Sequence, residues 1–161
     1  MRPCVLFSLA VAMAFGQTCR PDQIRTAVHC CDGAAGSLYA SVLIRNDSKK
    51  SCLLDGVPKI ALVNESGKAL PVNVSGNQDL NVYGKGSSRL VLHPGGKAGL
   101  TVVTQEPNFD QNRCGRRLVL DIKRVIVAFK MLACGPPQQP LRVFTSGFFP
   151  APENYPASEQ K

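Results

Sequence analysis

The stretch "RRLVLDIKRVIVAFKML", Arg116 to Leu132, decides between two folds. As a helix it has a long apolar face and no residue suited to cap its start. As strands it divides into "LVLDI" and "VIVAF", rich in β-branched residues and short enough for a sheet core, with a break near Lys123 and Arg124. Two strands are therefore expected.

The neighbouring segments carry the same period. "SRLVLHPGGKAGLTVVTQ" contains a strand, a turn at Pro94 to Gly96, and a second strand through Leu100, Val102 and Val103. "PKIALVNESGKALPVNV" reads as two strands around a turn at Asn64 to Gly67, with Ile60, Leu62, Leu70, Val72 and Val74 apolar. In "LYASVLIRND", Leu38, Ala40, Val42 and Ile44 share one face, and the turn formers Asn46, Asp47 and Ser48 end the run. The polar, glycine-bearing stretch Ser75 to Ser87 reads as an exposed loop or a weak edge strand, and Glu106 to Gly115 as a polar loop. "PLRVFT", Pro140 to Thr145, is the last strand expected. Seven or eight short strands with almost no helix signal predict an all-β, antiparallel, immunoglobulin-like β-sandwich with Greek-key connections. The chain has no tryptophan, so the likeness to immunoglobulins is one of architecture only.

The two ends differ from the middle. Residues 1–16, "MRPCVLFSLAVAMAFG", have Arg2, an apolar core from Val5 to Ala14 and small residues at the exit, the pattern of a secretory signal peptide cleaved before Gln17. Residues 17–145 are then the sandwich domain. Residues 146–161, with Pro150, Pro152 and Pro156 and no period, are expected to be a flexible tail. Without Arg2 and Cys4 the chain keeps 18 basic and 11 acidic side chains, net +7, and six cysteines. A basic surface favours polyanions. An even cysteine count in an exported chain reads as disulfides, with fifteen possible pairings of Cys19, Cys30, Cys31, Cys52, Cys114 and Cys134.

Candidate chemistry is sparse. "HCCD", His29 to Asp32, sets an imidazole, two sulfurs and a carboxylate in four residues, but neighbours on an extended segment point in opposite directions and no second cluster completes four ligands. Copper handling through His93 and Met131 has nothing in the sequence to bring the two together. The two histidines, His29 and His93, offer no evident nucleophile and base, and Asp55, Asp79, Asp110 and Asp121 are dispersed. No catalytic residue, cofactor or metal is expected, and the protein is read as not an enzyme. Asn46-Asp-Ser, Asn64-Glu-Ser and Asn73-Val-Ser match the glycan acceptor pattern, yet asparagine and serine are also the residues turns require. Lys49, Lys50, Arg113, Arg116, Arg117, Lys123 and Arg124 are candidates for a basic rim at one end of the sandwich. Without interleaved aromatics that rim is no nucleic-acid platform.

The order of the motifs resembles the bacterial exported family catalogued as domain of unknown function 4232. The shared pieces are Gly36-Ser-Leu-Tyr39, Asn46-Asp-Ser48, Cys52-Leu-Leu-Asp-Gly-Val-Pro58, Pro94-Gly-Gly-Lys-Ala98 and the two late cysteines, Cys114 and Cys134. The resemblance implies a secreted or envelope-associated β-sandwich whose four cysteines pair as Cys19 with Cys52 and Cys114 with Cys134. Cys30 and Cys31 lie outside its pattern, so they either bond each other in a strained eight-membered ring or take different partners. The expectation is a secreted or periplasmic, monomeric binding or interaction domain at the cell envelope, contacting envelope polyanions or another envelope protein through the loops at 75–87 and 106–115. The alternative is a metal-binding or redox protein using His29, Cys30 and Cys31. Nucleic acid and a transmembrane segment are not expected.

Overall fold

A computed structural model describes residues 16–34, 36–76, 85–105, 114–135 and 139–155. The proposed signal peptide, apart from Gly16, and most of the loops at 75–87 and 106–115 lie outside the described residues. In chain order the strands are β1 (Ile24–Ala34), β2 (Ser37–Asn46), β3 (Cys52–Asp55), β4 (Lys59–Val63), β5 (Ala69–Leu70) and β6 (Val72–Gly76). They continue as β7 (Arg89–Leu92), β8 (Lys97–Gln105), β9 (Cys114–Ile122), β10 (Val125–Cys134), β11 (Leu141–Thr145) and β12 (Phe149–Pro150). A 3₁₀ turn at Pro21–Gln23 is the one helical element among the described residues, so none of them forms a helix long and apolar enough to cross a membrane.

The deciding stretch is a hairpin. Val125 pairs with Ile122, leaving Lys123 and Arg124 as the two turn residues, with φ of 45° and 85°. Positive φ at both central positions suits the right-handed twist of the flanking strands. Along β10 every odd residue from Val125 to Ala133 is buried and every even one is exposed, so period two holds throughout the stretch.

A six-stranded sheet runs β1-β2-β8-β11-β6, with β12 also on β8, and a four-stranded sheet runs β10-β9-β4-β5. β3 and β7 form a separate pair. Ala40, Val42, Ile44, Leu100 and Val102 of the first sheet share one buried core with Leu62, Leu118, Leu120, Val127 and Phe129 of the second. The architecture is therefore all-β, two sheets packed through the faces the alternation marked. Pairing is antiparallel except between β11 and β6, which run parallel.

Three features depart from the sequence reading. First, β1 supplies eleven residues of edge strand where none was expected. Its Arg25, His29 and Asp32 and its bulge between Cys30 and Asp32 break the alternation, as edge strands commonly do. Second, the run after the Asn64–Gly67 turn does not stay in one sheet. Two residues, Ala69 and Leu70, pair with β4, and beyond Pro71 the chain crosses to lie beside β11 in the other sheet. Proline has no N–H for a ladder, while its carbonyl accepts from Leu141 N at 2.8 Å. Third, the first ten residues beyond Thr145 pack against the sheets: Phe148, Phe149 and Tyr155 are buried. Phe149 lies over Gly99, where a Cβ would overlap its ring, and meets Tyr155 edge-on at 5.4 Å. The Tyr155 hydroxyl donates to Leu100 O at 3.2 Å. Residues 156–161 lie outside the described residues. These additions, with the short β3, β5 and β12, bring the strands among the described residues to twelve rather than seven or eight.

The cysteines form three disulfides, Cys19–Cys52, Cys30–Cys31 and Cys114–Cys134. Two are the pairs the resemblance implies, and in the third the adjacent cysteines are joined to each other. Cys114–Cys134 closes the open end of the β9–β10 hairpin, and Cys30–Cys31 occupies the bulge in β1. Disulfides of this density fit an oxidising compartment.

Candidate functional site

Asn46 ends β2 and is fully buried. A buried amide must place its hydrogen bonds within the protein, and this one winds the following loop around itself. Its Nδ2 donates to Lys50 O at 2.8 Å and Leu92 O at 3.0 Å. Its Oδ1 accepts from Ser48 N at 3.0 Å and from Ser48 Oγ at 2.8 Å. Its own backbone bonds to Gly95 and Gly96 in the β7–β8 turn, where Gly95 has φ +73°. The loop 47–51, carrying Lys49 and Lys50, is thus anchored from within by Asn46, and Ser48 Oγ, 2.9 Å from Lys50 O, braces it further.

The other wall comes from the N-terminal arm. The Cys19–Cys52 disulfide pins it to β3, Cys19 N donates to Leu53 O and Leu53 N to Gln17 O. Beyond the pin, Pro21–Gln23 forms the 3₁₀ turn, with Arg20 N donating to Gln23 Oε1 at 3.0 Å. Gln23 O accepts from Asp47 N, and Gln23 Nε2 donates to Ser48 Oγ at 3.4 Å, joining the two walls.

Between them lies a recess of about 310 Å³, lined by Gln17, Arg20 and Asp22 on one side and Ser48 to Ser51 on the other. That volume is within the range of small-ligand sites. The Asp22 carboxylate is already engaged by Arg20, Nε to Oδ1 at 3.0 Å and Nη2 to Oδ2 at 2.9 Å, and this bonding holds it below the usual carboxylate range. Neither Lys49 nor Lys50 has a carboxylate partner among the described residues. Behind them Asp47 accepts from Arg45 and from Arg25, the latter at 2.9 Å, and the Arg45 hydrogen bond first of all lowers its pKa. Two uncommitted ammonium groups beside a neutralised carboxylate attract anions.

The recess has little catalytic equipment. Ser51 Oγ lies 3.1 Å from His93 Nδ1. In a nucleophilic triad a third group orients the imidazole, and among the described residues none bonds His93 Nε2. The contact ties the β2–β3 loop to the β7–β8 turn.

The other sequence candidates scatter. His29 Nε2 lies 3.3 Å from Asp32 Oδ2, but the sulfurs between them are joined to each other and offer no thiolate until reduced. Met131 faces the core, whereas His93 is exposed in a turn, so the copper pairing is not assembled. Asp55 pairs with Lys123 at 2.6 Å and Arg89 at 3.6 Å, and Asp121 accepts from Arg124 N at 2.8 Å. Asp79, Asp110 and Arg113 lie outside the described residues. The basic residues do not form one rim: Arg116 and Arg117 stand near the disulfide end of β9, and Lys123 and Arg124 at its turn, some 20 Å along the strand. Of the acceptor asparagines, Asn46 is buried and Asn64 Oδ1 caps its own turn by accepting from Lys68 N at 2.9 Å.

Sequence reasoning missed Arg20, Asp22, Gln23 and the role of Asn46. Asn46-Asp-Ser carried the signal, since an asparagine two residues before a serine can fold back on it, but nothing local shows which distant carbonyl the amide meets. A family model described as a domain of unknown function (DUF4232) matches residues 19–145, spanning all three disulfides and all of the recess except Gln17. No curated protein and no solved structure matches the chain.

Proposed function

The chain belongs to the DUF4232 family, and from that premise we propose that it is an exported, non-enzymatic binding domain of the cell envelope whose recess takes an anionic group of an envelope polymer or protein. The observation that carries this reading is the pair of unpartnered lysines, Lys49 and Lys50, on a loop held by buried Asn46 beside the disulfide-pinned arm. Preorganised cations gain affinity because little side-chain and loop freedom is lost on binding. Three disulfides support an extracytoplasmic setting.

The test is retention on a carboxylated or sulfated polysaccharide matrix across a salt gradient. The K49E/K50E variant should elute at markedly lower salt than the parent. Equal retention of parent and variant, or parent binding indifferent to ionic strength, overturns the reading. The redox or metal alternative at His29, Cys30 and Cys31 rests on the His29–Asp32 pair flanking the disulfide. Thiol counting with elemental analysis separates the two: reactive thiols or stoichiometric metal in the isolated protein favour the alternative.

A further inference from the structure

The outer face of the four-stranded sheet is unlike an ordinary solvated face. Its inward parity, Leu118, Leu120, Ile60, Leu62, Val127 and Phe129, packs against the core. The outward parity is free to be polar, as on most antiparallel sheets with one wet side. Instead the register lays out three rows across β10, β9 and β4. Ile126, Asp121 and Lys59 form the first, Ala128, Val119 and Ala61 the second, and Lys130, Arg117 and Val63 the third. The middle row is wholly aliphatic, Ile126 is 58% exposed, and Leu132 continues the face at 38%.

Charge on this face is mainly positive, three cations to one carboxylate in the three rows. Lys59, Arg117 and Lys130 have no carboxylate partner among the described residues, although neighbouring cations do: Arg116 pairs with Glu65 at 2.6 Å and Lys123 with Asp55 at 2.6 Å. The single acid of the three rows, Asp121, accepts from Arg124 N through Oδ1 and pairs with none of the three cations among the described residues. A second copy docking through the same face would set these cations against their own kind. A folded protein partner is ordinarily held by aromatic or arginine anchors in pockets, and this face has no aromatic side chain in its rows and contributes none to the described recesses. Shallow aliphatic side chains ringed by unpaired cations match a surface without shape of its own, negative outside and apolar just beneath.

We infer that the outer face of β4, β9 and β10 seats the protein peripherally on an anionic phospholipid bilayer. Lys59, Arg117 and Lys130 meet headgroup phosphates, and Ile126 with the middle row rests at the acyl boundary. The inference does not rest on the reading of the recess. Co-sedimentation of the intact, disulfide-bonded chain with vesicles tests it, one set of phosphatidylcholine alone and one of phosphatidylcholine mixed with phosphatidylglycerol. Binding should be confined to the anionic vesicles and fall with salt. K59E/R117E/K130E, with an unchanged circular dichroism spectrum, should lose about tenfold or more in partitioning, I126S should weaken it at constant charge, and K49E/K50E should bind like the parent. Equal binding to both vesicle sets, binding to neither, an unaffected triple variant, or loss on K49E/K50E in its place each overturns the inference. The last of these would leave the recess reading intact.

Discussion

Asn46, behind the recess, makes four side-chain hydrogen bonds from a fully buried amide. Asn46→Ala leaves the carbonyl of Leu92 without its partner in a buried setting, so urea denaturation should show a loss of about 2 to 3 kcal/mol. The loop should loosen as well, and retention on the polysaccharide matrix should drop although both lysines remain. Asn46→Asp should be worse, because a carboxylate would face two carbonyl oxygens. Three ion-paired carboxylates give the acid limb of stability. Asp22, Asp47 and Asp55 are all held below their ordinary values, by hydrogen bonds from Arg20, Arg45 and Lys123 respectively. A depressed folded-state pKa means stability that is present above the unfolded value of ~4 and is lost as pH falls through the folded one. The urea midpoint should therefore hold near pH 5 and decline below ~4, with a shallower decline in a D47N/D55N variant. Equal slopes would remove these ion pairs from the account. Of this scale the sequence showed the turn-forming types, Asn46, Asp47 and Ser48, but not their partners, because Leu92 and Gln23 are remote in the chain.

Period two made the strands legible wherever one face is buried and the other wet. β2 and β10 follow it residue by residue, and the hairpin turn at Lys123 and Arg124 falls where the β-branched runs break. That turn uses two residues with positive φ and no glycine. Arg124→Gly should therefore stabilise the fold by about 1 kcal/mol, since glycine enters this region without steric penalty and the N–H to Asp121 is kept. A lowered thermal midpoint would contradict it. Legibility failed at β1, where a mixed edge hides the alternation, and at residues 146–155, where the prolines masked three aromatic anchors. Composition argues for disorder only when no apolar surface is buried, and here Phe148, Phe149 and Tyr155 bury it. Phe149→Ala should cost about 3 to 5 kcal/mol. A flexible tail would instead tolerate the change with no shift in denaturation midpoint.

Across the whole molecule, the disulfides distribute between stability and site. Cys19–Cys52 joins residues 33 apart and Cys114–Cys134 residues 20 apart, so each should contribute about 3 kcal/mol by restricting the unfolded chain. Only the first pins a wall of the recess. C19A/C52A should lose both stability and salt-sensitive retention, whereas C114A/C134A should lose stability alone. Loss of retention in both, at a temperature where both are folded, would detach the recess from the proposed binding. These two pairings were accessible through family resemblance, not through spacing, because which sulfurs meet depends on where the sheets bring the chain. A last consequence follows from the order in which the six-stranded sheet is assembled. β11 lies between β8 and β6, and among the described residues β6 has no other neighbour in that sheet. A chain emerging N-terminus first from a ribosome or a translocation pore thus lacks an interior strand until residues 141–145 appear, and the edges of β6 and β8 stay open until then. Completion is deferred until β11 has emerged, and in the meantime the unfinished polypeptide carries two open strand edges, the kind of surface on which wrong pairing starts.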